Sequence, residues 1–446
     1  MMKFVNRERE LRALARTVGQ GSGLAVVSGR RRVGKTALLD HFARSEQDGA
    51  RRPTVFLPGT RAPVGEALDR LTERIRAVLP PRPGDLLDLG ACTTWDAALG
   101  YLLARAADTP VLLVLDEFPY LCEADPSLPS TLQARWDHRG EAQLSVVLAG
   151  SHVGLMEDLL AADAPLFGRA DMHLRLAPFS WRDAPLLSGG DADAALEAYV
   201  TVGGMPRYLD LWDPRLDARS NLADLLDGPG APLAEEGLVV LQELSPASAA
   251  ARILELVALD ATTFSALRER SGLAPATISE ALDALARLGL LERSTPVGED
   301  ALRTRRVRYA VRDPLLRLWL ALVAPHREAF ELGRGHDVLA THADRLAISQ
   351  HATLAEIARD WLAATYGAQA GPWWDNRGAA LDVLALRDRT PVAAASVWWA
   401  REVDRGALDA RVRRTLAASP YAATPDIEVI ARGGEGVRTP ADLLAS

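Results

Sequence analysis

The segment Gly29–Thr36 reads GRRRVGKT and has the residue types of a phosphate-binding loop. It matches the pattern G-x-x-x-x-G-K-[ST], in which glycines let backbone N–H groups curl around phosphates at the start of a helix. A strand-like run, GLAVVSG, leads into the motif, and a helical run, TALLDHFA, follows it. We therefore expect Lys35 to contact the β- and γ-phosphates of ATP and Thr36 to ligate Mg²⁺. The nucleotide-binding residues predicted in this segment are Gly29, Arg30, Arg31, Arg32, Val33, Gly34, Lys35, Thr36 and Ala37.

The lysine content of the chain favours this interpretation over its alternative, a glycine turn that precedes a helix by chance. The chain has 51 basic residues, yet Lys3 and Lys35 are its only lysines. Arginine is a planar fork and lysine a compact charge, so they are not interchangeable where a small cation must lie between phosphates. That one of the two lysines falls within the loop motif supports a phosphate-binding role.

An acidic pair follows the buried strand predicted at Val111–Leu115. The five apolar residues of this run lead directly into Asp116 and Glu117. We expect Asp116 to hold Mg²⁺ through water and Glu117 to accept a proton from the attacking water as general base. The alternative interpretation is a strand that ends in solvated acids. The phosphate-loop motif upstream favours the catalytic interpretation over this alternative.

Two further residues complete the predicted catalytic set, which also includes Lys35 and Glu117. Ser151 follows the strand-like run Leu144–Ala149 and would sense the γ-phosphate from between the loop and the acidic pair; a helix N-cap is the alternative. Arg169, in the sequence PLFGR, is a candidate arginine finger that contacts the γ-phosphate from its own or a neighbouring subunit. Because the chain is rich in arginine, a surface salt bridge is the alternative for Arg169.

The first 180 residues alternate between strand-like and helix-like segments. Buried parallel strands read as continuous apolar runs, and their alternation with helices predicts an α/β fold with a doubly wound parallel sheet. We assign residues 1–180 to a P-loop ATPase core and the mainly helical residues 181–245 to a lid. The strand-like runs of the core are Gly23–Ser28, Thr54–Leu57, Val111–Leu115, Leu144–Ala149 and Met172–Leu176.

Residues 246–324 have the order helix, helix, turn, helix and hairpin, which is typical of a winged helix-turn-helix. The predicted recognition helix, Pro275–Leu288, presents two acids, which disfavours tight DNA binding. The predicted wing strand, Arg303–Val311, is basic and would grip the backbone or minor groove of double-stranded DNA. A solvated strand face, or contact with a protein partner or neighbouring subunit, is the alternative. The basic residues of the wing are Arg303, Arg305, Arg306 and Arg308.

The charge, the cysteine content and the apolar segments of the chain limit the classes of protein to which it can belong. The net charge of −8 argues against a broadly basic surface but leaves a local basic patch open. Cys92 and Cys122 are unclustered, so they form neither a disulfide framework nor a zinc site, as is typical of a reducing cytosol. The N-terminus lacks an apolar signal segment, and no apolar run approaches the roughly 20 residues of a membrane span. We therefore expect a cytoplasmic protein that does not enter a membrane.

Motifs spread over most of the chain resemble those of the archaeal-type ATPases of the AAA+/STAND group. Besides the phosphate loop, they include FVNREREL at the start, LDEFPYL around the acidic pair, the Gly-Ser strand end, PLFGR, GGMPRYL and DPLLRLW. The resemblance implies an AAA+-like nucleotide domain, a winged helix and a C-terminal domain related to restriction-endonuclease folds. It also implies that Phe4, Arg7 and Pro206 lie close to the adenine. From the residues alone, GGMP is a turn that ends a helix.

The tail, residues 325–446, departs from the pattern of active nucleases of that fold. Glu356 and Asp382 fit two of the metal-holding acids, but Ala395 and Val397 occupy the positions of the glutamate and lysine. Because metal-dependent hydrolysis needs carboxylates and a cation near the nucleophile, we expect a degenerate α/β domain that does not cut nucleic acid. It would serve as a docking surface for a protein partner or a second copy of the chain. We expect this docking surface to be built around four tryptophans, which form the core of the domain or an interface and not a base-stacking site. They are Trp373, Trp374, Trp398 and Trp399.

Together these features predict an ATP-binding and ATP-hydrolysing molecular switch with ATP and Mg²⁺ as ligands. Nucleotide binding would change the lid and rearrange the winged helix and the tail. Two alternatives stay open. One is a DNA-binding regulator that holds nucleotide without appreciable hydrolysis, and the other is an ATP-regulated, metal-dependent nuclease.

Overall fold

The structure is a computed structural model of the chain, and it describes residues 4–19, 21–45, 52–84, 90–244, 248–421 and 424–445. The chain divides into two compact units, Met1–Pro178 and Phe179–Ser446. This division lies next to the predicted end of the ATPase core at residue 180. The boundary predicted between residues 245 and 246 lies outside the described residues, so the finer division of the second unit stays a prediction.

A parallel sheet of five strands forms the centre of the first unit, as far as the described residues extend. Its order is β2-β3-β4-β1-β5, with every neighbouring pair parallel. β1, β3 and β4 are buried along their whole length, as continuous apolar strands between layers of helices should be. The predicted α/β fold with a parallel sheet is therefore confirmed. The elements of this unit are α1 (Glu8–Val18), β1 (Leu24–Ser28), α2 (Lys35–Arg44), β2 (Thr54–Pro58), α3 (Val64–Val78), α4 (Trp95–Ala106), β3 (Val111–Asp116), α5 (Phe118–Ala124), α6 (Leu128–Asp137), β4 (Leu144–Gly150), α7 (Val153–Asp158) and β5 (Met172–Arg175).

The second unit begins with helices and ends with a mixed sheet. Its elements are a 3₁₀ turn (Trp181–Asp183), α8 (Pro185–Ser188), α9 (Ala192–Val202), α10 (Pro206–Asp210), α11 (Ala218–Leu226), α12 (Glu236–Glu243), α13 (Ala249–Ala258), α14 (Phe264–Ser271), α15 (Pro275–Arg287), β6 (Leu291–Ser294), β7 (Arg308–Val311), α16 (Pro314–Leu318), a π-helical turn (Trp319–Val323), a 3₁₀ turn (Ala324–His326), α17 (Arg327–Glu331), α18 (Gly335–Thr341), α19 (Ala343–Tyr366), β8 (Gln369–Trp374), β9 (Ala380–Arg387), β10 (Thr390–Trp398), α20 (Arg405–Ala417), β11 (Asp426–Ala431) and α21 (Pro440–Ala445).

The sheet of the tail has the order β11-β10-β9-β8 among the described strands. β8, β9 and β10 are antiparallel neighbours, and β11 runs parallel to β10. Helix α19 covers this sheet with an apolar face that includes Leu354, Ile357 and Trp361, and α9 of the predicted lid adds Leu196 and Val200 to the same core. The predicted lid and the tail therefore share one hydrophobic core.

The segment predicted to be a winged helix differs from that prediction at its wing. β6 and β7 pair as an antiparallel hairpin, but β7 begins at Arg308 and not at Arg303. The segment between the strands docks on the tail, because Val297 packs in a core that includes Trp373. The N–H of Val297 also donates to the carbonyl of Pro372 at 2.9 Å, and the hydroxyl of Tyr421 donates to the carbonyl of Val297 at 3.1 Å. These contacts hold the wing against the tail.

No helix within the described ranges is both long and apolar enough to cross a membrane.

Candidate nucleotide-binding site

The phosphate-loop motif forms the turn between β1 and α2. Gly29 has φ 159° and Gly34 has φ 97°, and a Cβ atom at Gly29 would lie 2.7 Å from the carbonyl oxygen of Leu176. The loop therefore needs glycine at its start because a larger residue would clash with backbone. Lys35 begins the helix and is buried, and its Nζ donates to the carbonyls of Gly29 at 2.8 Å and Arg30 at 3.1 Å.

Ser151 lies between the loop and the acidic pair. Because the ends of parallel strands meet at one edge of the sheet, and β4 lies between β1 and β3, the three predicted segments come together. Lys35 Nζ lies 3.1 Å from Ser151 Oγ. The N–H of Ser151 donates to Glu117 Oε2 at 3.1 Å, and its hydroxyl donates to Glu117 Oε1. His152, not Ser151, caps α7 through its side chain, so the N-cap alternative does not describe Ser151.

The pair Thr36 and Asp116 is the candidate metal site. Thr36 Oγ1 donates to Asp116 Oδ2 at 2.6 Å, and Asp116 is only 2% exposed. Burial raises the pKa of Asp116 and the charge of Glu117 adds to the rise, whereas the hydrogen bond from Thr36 and the charge of Lys35 oppose it. A buried carboxylate beside a hydroxyl is a suitable oxygen set for Mg²⁺, and a bound cation would favour the ionised form of Asp116.

Glu117 has an uncommon backbone conformation, and Gly59, which directly follows the neighbouring strand β2, makes room for it. Its φ of 48° and ψ of 45° are left-handed, which is unfavourable for a non-glycine residue. The N–H of Gly59 donates to the carbonyl of Asp116 at 2.7 Å, and a Cβ atom at Gly59 would lie 2.5 Å from the carbonyl oxygen of Glu117. Sequence reasoning missed Gly59; its one signal is a Pro-Gly pair directly after the strand-like run Thr54–Leu57.

The N-terminal residues assigned to the adenine region lie beside the phosphate loop. Arg7 is buried, and its guanidinium donates to the carbonyls of Val33 at 3.3 Å and Ala177 at 2.8 Å. The ring of Phe4 stacks on His41 of α2, with 4.1 Å between centroids. Pro206 occupies the first turn of α10 in the second unit, so its proximity to the adenine stays a prediction.

The other loop residues divide between packing and surface positions. Val33 is fully buried and anchors the loop. Arg31 and Arg32 are exposed, and Arg31 donates a hydrogen bond to the hydroxyl of Tyr120 on α5. Arg32 has φ 66°, a left-handed conformation within the turn. Ala37 lies in the first turn of α2.

Arg169 forms the ion pair that the sequence left open as its alternative role. Its Nε and Nη2 each lie 2.8 Å from a carboxylate oxygen of Asp137, and this bidentate pairing lowers the pKa of Asp137. Phe167, two residues earlier, is 52% exposed. Contact between Arg169 and a γ-phosphate would require this pair to open, so the finger role stays a prediction.

The wing arginines do not form the expected basic strand. Arg306 Nη1 donates to the carbonyl of Trp374 at 2.8 Å and pairs with Glu299, and the guanidinium of Arg308 lies 4.5 Å from the centre of the Trp374 ring. Both side chains are held by the tail because the wing docks there. Arg303, Arg305 and Arg308 are exposed, although Arg308 lies against Trp374, so DNA contact through the wing stays a prediction that rests mainly on Arg303 and Arg305.

The acids of the tail belong to separate networks. Glu356 faces Arg317 at 3.8 Å, and burial raises its pKa to about 7, although Arg317 opposes the rise. Asp382 accepts a hydrogen bond from the N–H of Val397 at 3.0 Å. Ala395 and Val397 are fully buried. Within the described part of the chain, no three His, Cys, Asp or Glu side chains are grouped so that they could hold a metal ion.

The tryptophans of the tail correct one expectation. Trp373 and Trp374 are 2% and 5% exposed, so they belong to the interior and not to a docking surface. Trp399 is partly buried beneath the guanidinium of Arg432. Trp398, at 40%, is among the few large apolar side chains that are exposed. A docking surface built around all four is therefore wrong, because the pleat of β8 and the wing cover the first two.

A parallel sheet with a phosphate-loop motif after its first strand, an acidic pair at the end of its third and a serine after its fourth defines a P-loop ATPase fold. Residues 4–211 match the family of ATPase domains found predominantly in Archaea. This part of the chain is therefore similar to the archaeal-type ATPase domains, and the resemblance found in the sequence is confirmed.

Two known proteins illustrate the likeness. An uncharacterised protein of Methanocaldococcus jannaschii is 23% identical over 404 residues, which cover 86% of this chain and 84% of the relative. The structure of a Walker-type ATPase of Pyrococcus abyssi aligns with a TM-score of 0.53 at 19% identity and covers 71% of this chain and 96% of that one. At this identity, the structural likeness establishes the shared fold.

Proposed function

We propose that the protein is a molecular switch of the AAA+/STAND type, which binds ATP with Mg²⁺ and hydrolyses it in the first unit. Its nucleotide state would control the winged helix and the tail in the second unit. The observation that carries the proposal is the meeting of five polar side chains at one edge of the parallel sheet. These are Lys35, Thr36, Asp116, Glu117 and Ser151.

The residues fit a triphosphate with its metal. The turn before α2 brings backbone N–H groups and the positive end of a helix to one point, which suits phosphate oxygens. Thr36 and Asp116 would hold Mg²⁺, which when bound neutralises charge on the β- and γ-phosphates. Phe4 and Arg7 lie against the loop and α2, where they would define the adenine side of the site together with Pro206.

The hydrogen bonds of Glu117 indicate how hydrolysis would depend on the γ-phosphate. Both carboxylate oxygens of Glu117 accept hydrogen bonds from Ser151, and Ser151 Oγ is also within reach of Lys35 Nζ. A γ-phosphate would compete for Lys35 and Ser151, because both are donors for its oxygens. Glu117 would then be free to orient a water molecule and accept its proton.

Contacts inside the second unit support coupling between the predicted lid and the tail. Arg432, at the end of β11, donates to both carboxylate oxygens of Asp193 on α9 at 2.9 and 2.6 Å and pairs with Glu197. With the shared core of α9 and α19, these bonds would transmit any displacement of α9 to the tail.

An ATPase assay with matched variants tests the proposal. Lys35→Ala should weaken nucleotide binding because it removes the cation on the β- and γ-phosphates. Glu117→Gln should bind ATP normally but lose turnover by about a hundredfold or more, because an amide cannot accept the proton of water. Native mass measurement with ATP and with ADP should report any change in assembly. Wild-type turnover by Glu117→Gln would refute the base assignment.

One alternative keeps a specific observation in its favour. A regulator that holds nucleotide without appreciable hydrolysis agrees with the bonds between Glu117 and Ser151, if they persist when ATP binds. Nucleotide binding without magnesium-dependent phosphate release would favour this alternative. If duplex DNA then raises phosphate release, and Arg303→Ala with Arg305→Ala abolishes the rise, the exposed part of the wing is the DNA contact.

A further inference from the structure

An exposed tryptophan lies between two basic side chains at the end of β10. The ring of Trp398 meets the ring of His351 edge to face at 6.0 Å, and the guanidinium of Arg411 lies 5.8 Å from the Trp398 ring centre. These residues come from α19, β10 and α20. We call Trp398, His351 and Arg411 the Trp398 patch. All three are exposed to solvent, with 40% of Trp398, 37% of the His351 side chain and 48% of the Arg411 side chain accessible.

Asp382 and Ser396 contact the two basic side chains of the patch, His351 and Arg411, on their buried side. Asp382 lies 3.4 Å from Nε2 of His351 and 3.6 Å from Nη2 of Arg411, and the same Nη2 donates to Ser396 Oγ at 2.9 Å. Burial opposes ionisation of Asp382, but its hydrogen bonds and the neighbouring positive charges outweigh this effect and lower its pKa. The acid therefore stays charged below the surface and fixes two basic groups that remain open to solvent.

The chemistry of the patch indicates the class of ligand. An exposed indole offers a stacking surface to any base whose face is free, and adjacent cationic groups suit the phosphates that join such bases. Arg414 extends the positive charge, because it is exposed and lies three residues after Arg411 on the same helix. On that helix, Asp409 is paired with Arg413 at 2.7 Å. A duplex would not satisfy the indole, because its bases are already stacked.

We propose that the Trp398 patch binds single-stranded nucleic acid, with an unpaired base stacked on Trp398 and the adjoining phosphates at Arg411 and Arg414. The site does not depend on ATP hydrolysis or on the wing.

Fluorescence anisotropy of a labelled oligothymidine with the full-length protein tests the proposal, in parallel with a labelled duplex of the same length. Single strands should bind more tightly than duplex. Trp398→Ala should weaken single-strand binding about tenfold, whereas Trp398→Phe should retain most of it. Arg411→Ala should weaken binding and reduce the slope of log affinity against log salt by about 0.7. Lys35→Ala should bind the oligonucleotide like the wild type, which separates this site from the nucleotide site.

Arg327→Ala is the matched control, because Arg327 is an exposed arginine paired with Glu331 elsewhere in the unit and its loss should leave binding unchanged. Thermal unfolding of each variant should match the wild type, and Trp398→Phe reports on stacking even if Trp398→Ala folds poorly. Three results would overturn the proposal. They are no measurable binding of single strands, equal affinity for duplex and single strand, and unchanged single-strand affinity in folded Trp398→Ala or Arg411→Ala.

Discussion

Replacing Arg432 by alanine should destabilise the second unit by about 3 kcal/mol, because removing one partner of a buried ion pair leaves Glu197 buried and without its counter-charge. The Arg432 side chain is 16% exposed, and its partner Glu197 is 8% exposed. The bidentate bonds to Asp193 are lost at the same time. For a unit of this size, such a loss corresponds to a fall of roughly 6–12 °C in the melting temperature.

The destabilisation should depend on pH in a defined direction. Burial raises the pKa of Glu197, while the charge of Arg432 opposes the rise. A carboxyl group with a raised pKa contributes most stability below its unfolded pKa, and the contribution is lost as pH rises through the folded value. Without Arg432 the pKa of Glu197 should rise further, so the difference between variant and wild type should be larger at about pH 8 than at about pH 5.

Thermal and urea unfolding at both pH values measure the effect, and Arg401→Ala is the control. Arg401 pairs with the same Asp193 at 3.0 Å, but its side chain is 73% exposed, so its loss should cost at most about 0.5 kcal/mol. Adding Glu197→Gln to Arg432→Ala should recover part of the stability and flatten its pH dependence. Equal destabilisation by Arg432→Ala and Arg401→Ala would refute the reasoning from burial.

Three further predictions concern the other charged residues. If Arg169 leaves Asp137 to act as an arginine finger, Arg169→Ala should lower ATP turnover about a thousandfold and change nucleotide affinity little. Initial rates measure the turnover, and nucleotide titration measures the affinity. Equal loss of turnover and affinity counts against the finger role. Plasmid, linear and single-stranded DNA should stay intact with Mg²⁺ or Mn²⁺ and ATP, and cleavage that disappears in Asp382→Ala would restore the nuclease alternative. The pKa of Glu356 is raised to about 7, so stability should fall as pH rises from the unfolded pKa to that value. Glu356→Gln should remove about 3 kcal/mol of this fall in urea unfolding. An unchanged pH profile would show that Glu356 ionises as in the unfolded chain.

The sequence predicts which residues meet at the candidate nucleotide site, because that prediction depends on local patterns and one topological rule. Lys35 and Thr36 lie within a contiguous motif, and Asp116 and Ser151 directly follow apolar strands. Parallel strands have their carboxyl ends at one edge of a sheet. The positions of the strand ends are therefore sufficient to predict that these residues lie close together. Gly59 was missed because its need for a hydrogen side chain comes from the backbone of Glu117, more than fifty residues later in the sequence.

The errors occur where tertiary packing decides the environment of a residue. The alternating arginines of the wing read as an exposed strand, but Val297 packs into the tail and brings Arg306 and Arg308 onto Trp374. Nothing local to the wing indicates that contact. Likewise, the two Trp-Trp pairs of the tail cannot be told apart from their sequence. Trp374 is an interior residue because of the sheet order and the contact with the wing, whereas Trp398 is exposed.

The shared core of α9 and α19 has a consequence for dissecting the protein. The family match ends at residue 211, yet Leu196 and Val200 within it pack against Ile357 and Trp361 far downstream. A fragment cut at 211 would leave this apolar face of α9 in water, at about 25 cal/mol for each Å² uncovered, and such a face promotes aggregation. Exchange of the tail with that of a relative should meet the same difficulty, because the new tail would have to pack against the same apolar face of α9. A fragment that keeps α9 should therefore also keep the tail, whereas a cut at the boundary after Pro178 leaves the shared core intact.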